Sequence, residues 1–225
     1  MMSISYIQDF CRKNGVEVLA VQPPGRGMRI HEPFSESAQE MAQTLLPLLA
    51  PKLQDGTPYV MISHSMGCWI GYELLLCLRL NGLPLPLSWF LGAMPCPSIP
   101  FEARPWRLQH LLNDEQFKIE CRGWDINDAV FQMWALFEPM LRADFHIFDS
   151  YKLQDPIPAP FDNLPIHAFW GTADKRVKKE MVQGWRAFTT AIEGNHLWPL
   201  NKEPKLRWLQ LITDQLARLP IYTEA

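Results

Sequence analysis

The stretch Tyr59 to Gly71, YVMISHSMGCWIG, constrains the fold more than any other part of the chain. Tyr59, Val60, Met61 and Ile62 form a short apolar run of strand type, residues 63–67 (SHSMG) form a corner, and the apolar spacing from Cys68 to Leu80 is helical. A strand that turns sharply into a helix with serine at the bend is a nucleophile elbow. Its strained backbone lifts the Ser65 hydroxyl above the sheet edge and aims the next amide, that of Met66, at a developing oxyanion. The usual pentapeptide is G-x-S-x-G, and here Ser63 takes the place of the first glycine. A small residue belongs there because helix and strand pass within contact distance. A bare S-x-S-x-G arises by chance in many loops, so the strand before it and the helix after it carry the weight.

The flanking patterns alternate as a parallel α/β fold requires. Ile4, Ile7, Phe10 and Cys11 share a helical face over residues 4–13, and Asn14-Gly15 ends it. Val16 to Val21 (VEVLAV) is expected as a strand, followed by the rigid turn Pro23-Pro24-Gly25-Arg26-Gly27. That turn lacks the lysine and glycine spacing of a phosphate loop, so Arg26 is expected to hold the loop through an ion pair. Residues 35–53 form a helix capped by Ser35 or Ser37 and lead into the elbow. Leu87 to Ala93 is the next strand. From about residue 97 to 150 the alternation breaks into two or three helical patterns rich in aromatics, among them Trp106, Phe117, Trp124 and Trp134. Helices inserted after a sheet strand beside a reactive serine suggest a lid, against the plainer reading of a packing excursion. Pro165 to Trp170 is a strand, residues 177–186 a helix, Phe188 to Ile192 a last strand, and Leu206 to Leu219 a closing helix stopped by Pro220.

A serine hydroxyl is a poor nucleophile at neutral pH without a base, and the base wants a carboxylate to fix its tautomer and stabilise the imidazolium. On an elbow scaffold the partners follow in the order serine, acid, histidine, on loops at the strands' C-terminal ends. Of the six histidines, His64 adjoins the serine but should point elsewhere, His167 lies inside a strand, and His31, His110 and His146 precede the late loops. His196 alone occupies a glycine-flanked loop after the last strand, and it is the expected base. Asp174, on the loop after PIHAFW, is the expected acid. Asp155 and Asp162 come before that strand, and Asp149 falls among the inserted helices. Each of these residues alone would be unremarkable; their joint order is the signal.

Composition narrows the rest. A chain of 225 residues, 48% hydrophobic, can bury one substantial core, which points to a single domain over residues 1–225. A net charge of -3 offers no basic field for nucleic acid. Five scattered cysteines without metal spacing, and a start lacking a signal-peptide pattern, favour a reducing, cytoplasmic setting with no metal or cofactor. No apolar run approaches the length of a membrane span.

Longer stretches carry a resemblance. VEVLAVQPPGRGMRIHEP (16–33), SHSMG (63–67), LLNDEQF (111–117), LRADFHIFDSY (141–151), WGTAD (170–174) and EGNHLWPL (193–200) resemble the type II thioesterases, stand-alone α/β-hydrolases that accompany polyketide, nonribosomal-peptide and fatty-acid synthases. PGRG-x-R-x-x-E-P and LRADF are far more specific than the elbow. The resemblance implies an α/β-hydrolase fold, Ser65 as nucleophile, Asp174 as acid and His196 as base. It also implies an acyl thioester substrate on the phosphopantetheine arm of a carrier protein, with the helical insertion as lid. Ser63 and Asn195 stand where the family usually has glycine. The family also opens with a strand and an F-P-x-A-G-G-like loop that gives the second oxyanion amide, whereas this sequence begins in the helix that should follow. The expectation is therefore an N-terminally short thioesterase in which residues 16–21 move beside the nucleophile strand or a partner supplies the edge. Two rivals stand beside it: a non-catalytic relative that only docks a carrier protein or synthase, and a carboxylesterase or lipase-like hydrolase.

Overall fold

The computed structural model describes residue 12, residues 15–106, 108–153, 161, 163–185, 188–192 and 194–218. Within these, four strands form one sheet: β1 (Met61–His64), β2 (Trp89–Gly92), β3 (Ile166–Gly171) and β4 (Phe188–Ile192). They pair in chain order and all in parallel, with His64 opposite Gly92, Gly92 opposite Phe169, and Gly171 opposite Ile192. Parallel neighbours need crossovers, and helices supply them. The helices are α1 (Ala38–Leu53), α2 (Gly67–Leu80), α3 (Asp114–Gly123), α4 (Asp128–Gln132), α5 (Trp134–Ser150), α6 (Lys179–Gln183) and α7 (Lys202–Leu216).

The sheet is apolar on both faces, as parallel sheets are. Alternation along β2 sends Trp89 and Leu91 to a large core with Met41 and Leu45 of α1 and Trp69 and Leu75 of α2. Phe90 goes to the opposite side, to a smaller core with Phe169, Ile192, Trp198, and Trp208 and Ile212 of α7. Helix α1 begins where Ser37 accepts a hydrogen bond from the amide of Glu40, which settles the choice of cap in favour of Ser37. Helix α7 starts at Lys202, ahead of the apolar pattern, because Pro204 sits in its first turn, where the missing amide hydrogen has no intrahelical partner to lose.

Between β2 and β3 the chain leaves the sheet for three helices, α3, α4 and α5, where two or three helical patterns are expected. Asn113 and Asn127 cap α3 and α4 with their side chains. Pro23-Pro24-Gly25-Arg26-Gly27 does anchor its surroundings: Arg26 makes two parallel hydrogen bonds, of 2.9 and 2.8 Å, to the carboxylate of Asp144 on α5.

One expected strand is absent. Residues 16–21 have no strand assignment, and Leu19 and Val21 are exposed. β1 has a single described neighbour, β2, so residues 16–21 have not moved beside the nucleophile strand. The physical reason lies in the strand geometry. Apolar alternation predicts an extended segment, but strand character is completed only by a ladder partner, and this segment has none among the described residues. The helix expected over residues 4–13 lies outside the described residues apart from Arg12, as do Asp155, Asp162 and Pro220.

Candidate active site

Three loops at the C-terminal edge of the sheet converge. Ser65 follows the last residue of β1 and has φ +53, a conformation that costs a side-chain-bearing residue energy. The turn is held from both sides: the Ser65 amide donates to Gly92 O at 2.8 Å, and the Ser65 carbonyl accepts from the Cys68 amide at 2.8 Å. Close packing of α2 on β1 explains how serine is tolerated at position 63. A Cβ on Gly71 would lie 2.9 Å from Ser63 Oγ, so the glycine on the helix supplies the space that the strand residue uses. The Ser63 hydroxyl in turn accepts a hydrogen bond from Trp89 Nε1 at 3.1 Å.

Asp174 lies three residues beyond β3 and His196 four beyond β4. The structure brings both to the serine: Ser65 Oγ is 2.9 Å from His196 Nε2, and His196 Nδ1 is 2.9 Å from Asp174 Oδ2. Asp174 is 3% and His196 2% exposed, so the pair is shielded from water. Burial alone pushes the Asp174 carboxyl up, but hydrogen bonds from His196 and from the amides of Val177 and Arg176 outweigh it, leaving its pKa below the ordinary carboxylate value. The loops that carry Asp174 and His196 pack so closely that a Cβ on Gly171 would fall 2.6 Å from Gly194 O. Met66 stands at the N-terminus of α2, where first-turn amides have no intrahelical partner.

The remaining histidines lie elsewhere, as their sequence positions suggest. His64 turns away from Ser65 under the base loop, where its Nε2 donates to His196 O at 3.0 Å and its ring meets Trp198 edge-on. Burial, and next the neighbouring His196, push its pKa down to about 3, so it is neutral near neutral pH. His110 pairs with Asp149 at 2.9 Å, His146 meets His110 edge-on, and His167 stacks on Phe90. Sequence reasoning missed Asp125, which accepts from the His196 amide at 3.3 Å, and the role of Trp124, whose ring lies edge-on to the His196 imidazole with centroids 4.7 Å apart. No spacing rule reaches from the inserted helices to a loop 71 residues later.

A parallel sheet flanked by helices, with serine on a positive-φ bend and an acid and a histidine following in that order, is the α/β-hydrolase fold. The chain belongs to the thioesterase domain family, whose family profile matches residues 7–202. It is 31% identical over 180 residues to the gramicidin S biosynthesis protein GrsT of Aneurinibacillus migulanus, covering 77% of this chain and 66% of that protein. Among solved structures it is similar to the RedJ thioesterase of the prodiginine pathway in Streptomyces coelicolor, with TM-score 0.77, 26% identity, and coverage of 89% of this chain and 75% of that one. The type II thioesterase BorB from the borrelidin cluster superimposes with TM-score 0.69 at 26% identity, over 90% of this chain and 78% of that one. Type II thioesterases of synthase pathways are thus among the proteins it resembles, and the chain spans just under two thirds of the length of GrsT.

Proposed function

We propose that this chain hydrolyses acyl thioesters with Ser65 as nucleophile, His196 as base and Asp174 as acid. As Ser65 Oγ attacks the thioester carbonyl carbon, His196 Nε2 takes its proton and Asp174 stabilises the imidazolium. The Met66 amide donates to the oxyanion. Collapse breaks the carbon–sulfur bond, and the departing thiolate takes the proton from His196, leaving acyl-Ser65. A water then gives a proton to His196 and attacks the ester, releasing the carboxylic acid and returning the proton to Ser65. The observation that carries this reading is the hydrogen-bonded line from Ser65 through His196 to Asp174. The similarity to synthase-associated thioesterases supports a carrier-protein phosphopantetheine arm as the thiol, and the aromatic excursion between β2 and β3 as the lid over the acyl chain.

The test is labelling by a fluorophosphonate probe, followed by hydrolysis of an acyl-carrier thioester and an oxygen ester of the same acyl chain. Labelling that disappears in Ser65→Ala, with a preference for the thioester, supports the reading; a preference for the oxygen ester makes the protein an esterase.

A second reading has its own observation. β1 lies at the edge of the described sheet, so no described strand stands beside the elbow on the side away from β2. Loss of one oxyanion donor costs about 10² to 10³ in kcat. A chain that takes no label yet binds an acyl carrier protein would be a docking relative that lacks turnover.

A further inference from the structure

We propose that Asp125, at the corner between α3 and α4, is a positioning residue that sets His196 against Ser65 and so ties the helical excursion to the base. The inference rests on the reading of His196 as base.

The corner closes α3 in the manner of a glycine-terminated helix. The Ile126 amide bonds back to Cys121 O at 3.1 Å, and the residue in the left-handed position between helix and exit is Asp125, with φ +60. Glycine is the residue this position ordinarily takes, because it adopts positive φ without strain. If the corner served only to end the helix, a carboxylate would be a poor choice.

Its carboxylate reaches two distant loops at once. Oδ2 accepts from the His196 amide at 3.3 Å, and Oδ1 is 3.5 Å from Nζ of Lys175, the residue after Asp174. The His196 backbone is thus gripped from two elements: its amide by Asp125, its carbonyl by His64 on β1. Its ring is held by Ser65 and Asp174 through the two nitrogens and by Trp124 at its edge. Gly123 adds to the same junction, since a Cβ there would fall 2.7 Å from the Arg176 guanidinium, which pairs with Glu120 of α3 at 2.5 Å. Four near-consecutive features of one helix end therefore meet the acid loop and the base loop together. Through this junction the excursion holds the main chain of His196.

Asp125→Gly separates positioning from simple capping, because glycine relieves the backbone strain while removing the carboxylate. The expected result is a melting temperature at or above that of the unaltered chain, with fluorophosphonate labelling of Ser65 slowed by about 10- to 100-fold, the scale of a misplaced reacting group. Asp125→Asn keeps an oxygen that can accept from the His196 amide and is expected to restore most of the rate. Proton NMR of the resting protein adds a second readout: the downfield signal of the His196 Nδ1 proton shared with Asp174 is expected in the unaltered chain and in Asp125→Asn, and lost to exchange in Asp125→Gly. Wild-type labelling in Asp125→Gly overturns the proposal. If the unaltered chain takes no label, the hydrolytic reading falls, and the NMR signal alone decides: loss only in Asp125→Gly supports positioning, while a signal in all forms or in none overturns it.

Discussion

At the scale of single residues, the site combines a serine hydrogen-bonded to His196 with a second histidine whose neutrality is enforced. Ser65→Ala and His196→Ala each remove whatever hydrolysis is present, read as turnover of an acyl-carrier thioester; activity kept in His196→Ala would move the base to another histidine. Asp174→Asn preserves the shape but favours the wrong tautomer of His196, and kcat is expected to fall by about 10⁴. His64 makes a prediction of a different kind. Its folded pKa, about 3, lies below the ordinary 6.5 because burial disfavours the charged ring. Between those values the unfolded chain binds more protons than the folded one, so stability falls as pH drops below about 6.5 and continues to fall toward 3. At pH 5 this one group is expected to cost about 2 kcal/mol relative to pH 8. Urea midpoints across that range should decline in the unaltered chain and decline less in His64→Gln, which keeps a donor for His196 O without the titration. Parallel slopes would place the acid sensitivity elsewhere.

At the scale of elements, a polar clamp links the turn at residues 23–27 to α5. Burial pushes the Asp144 carboxyl up, and the Arg26 guanidinium opposes that by hydrogen bond and charge. Removing Arg26 alone leaves a carboxylate short of partners in a largely buried place. Arg26→Ala is expected to cost about 2 to 3 kcal/mol by urea denaturation, and Arg26→Lys to recover only part of it, because an ammonium cannot match the two-pronged geometry. Arg26→Met with Asp144→Leu should be less damaging than Arg26→Ala alone; a double variant as unstable as the single one would show that the pair's shape, and not its charge, holds the turn. The role of Arg26 was legible from the absence of phosphate-loop spacing, but its partner was not, since nothing local ties residue 26 to residue 144. The same division holds at the site. Ser65, Asp174 and His196 follow from order and loop placement, because each sits just beyond a strand whose apolar pattern is readable. Asp125 and Trp124 do not follow, because their roles arise only when α3 packs across two loops far along the chain.

At the scale of the whole molecule, VEVLAV shows where a local pattern stops being informative. Its alternation is that of a strand, yet strand identity depends on a neighbour, and among the described residues neither this segment nor the outer side of β1 has one. Along β1, the Met61 amide bonds to Ser88 O and the Ser65 amide to Gly92 O, so alternate residues face β2. The backbone groups of Ile62 and His64 therefore point to the outer side, and Ile62 is 44% exposed. An apolar strand edge with an exposed isoleucine is a template for pairing with another chain. The expected consequence is concentration-dependent self-association in sedimentation velocity, reduced by Ile62→Lys, which places a charge on the edge without entering either core. Far-UV circular dichroism should be unchanged, because Ile62 belongs to neither core. If the chain sediments as one species at every concentration, with or without the lysine, this edge does not recruit other copies, and the openness of β1 has no cost in solution.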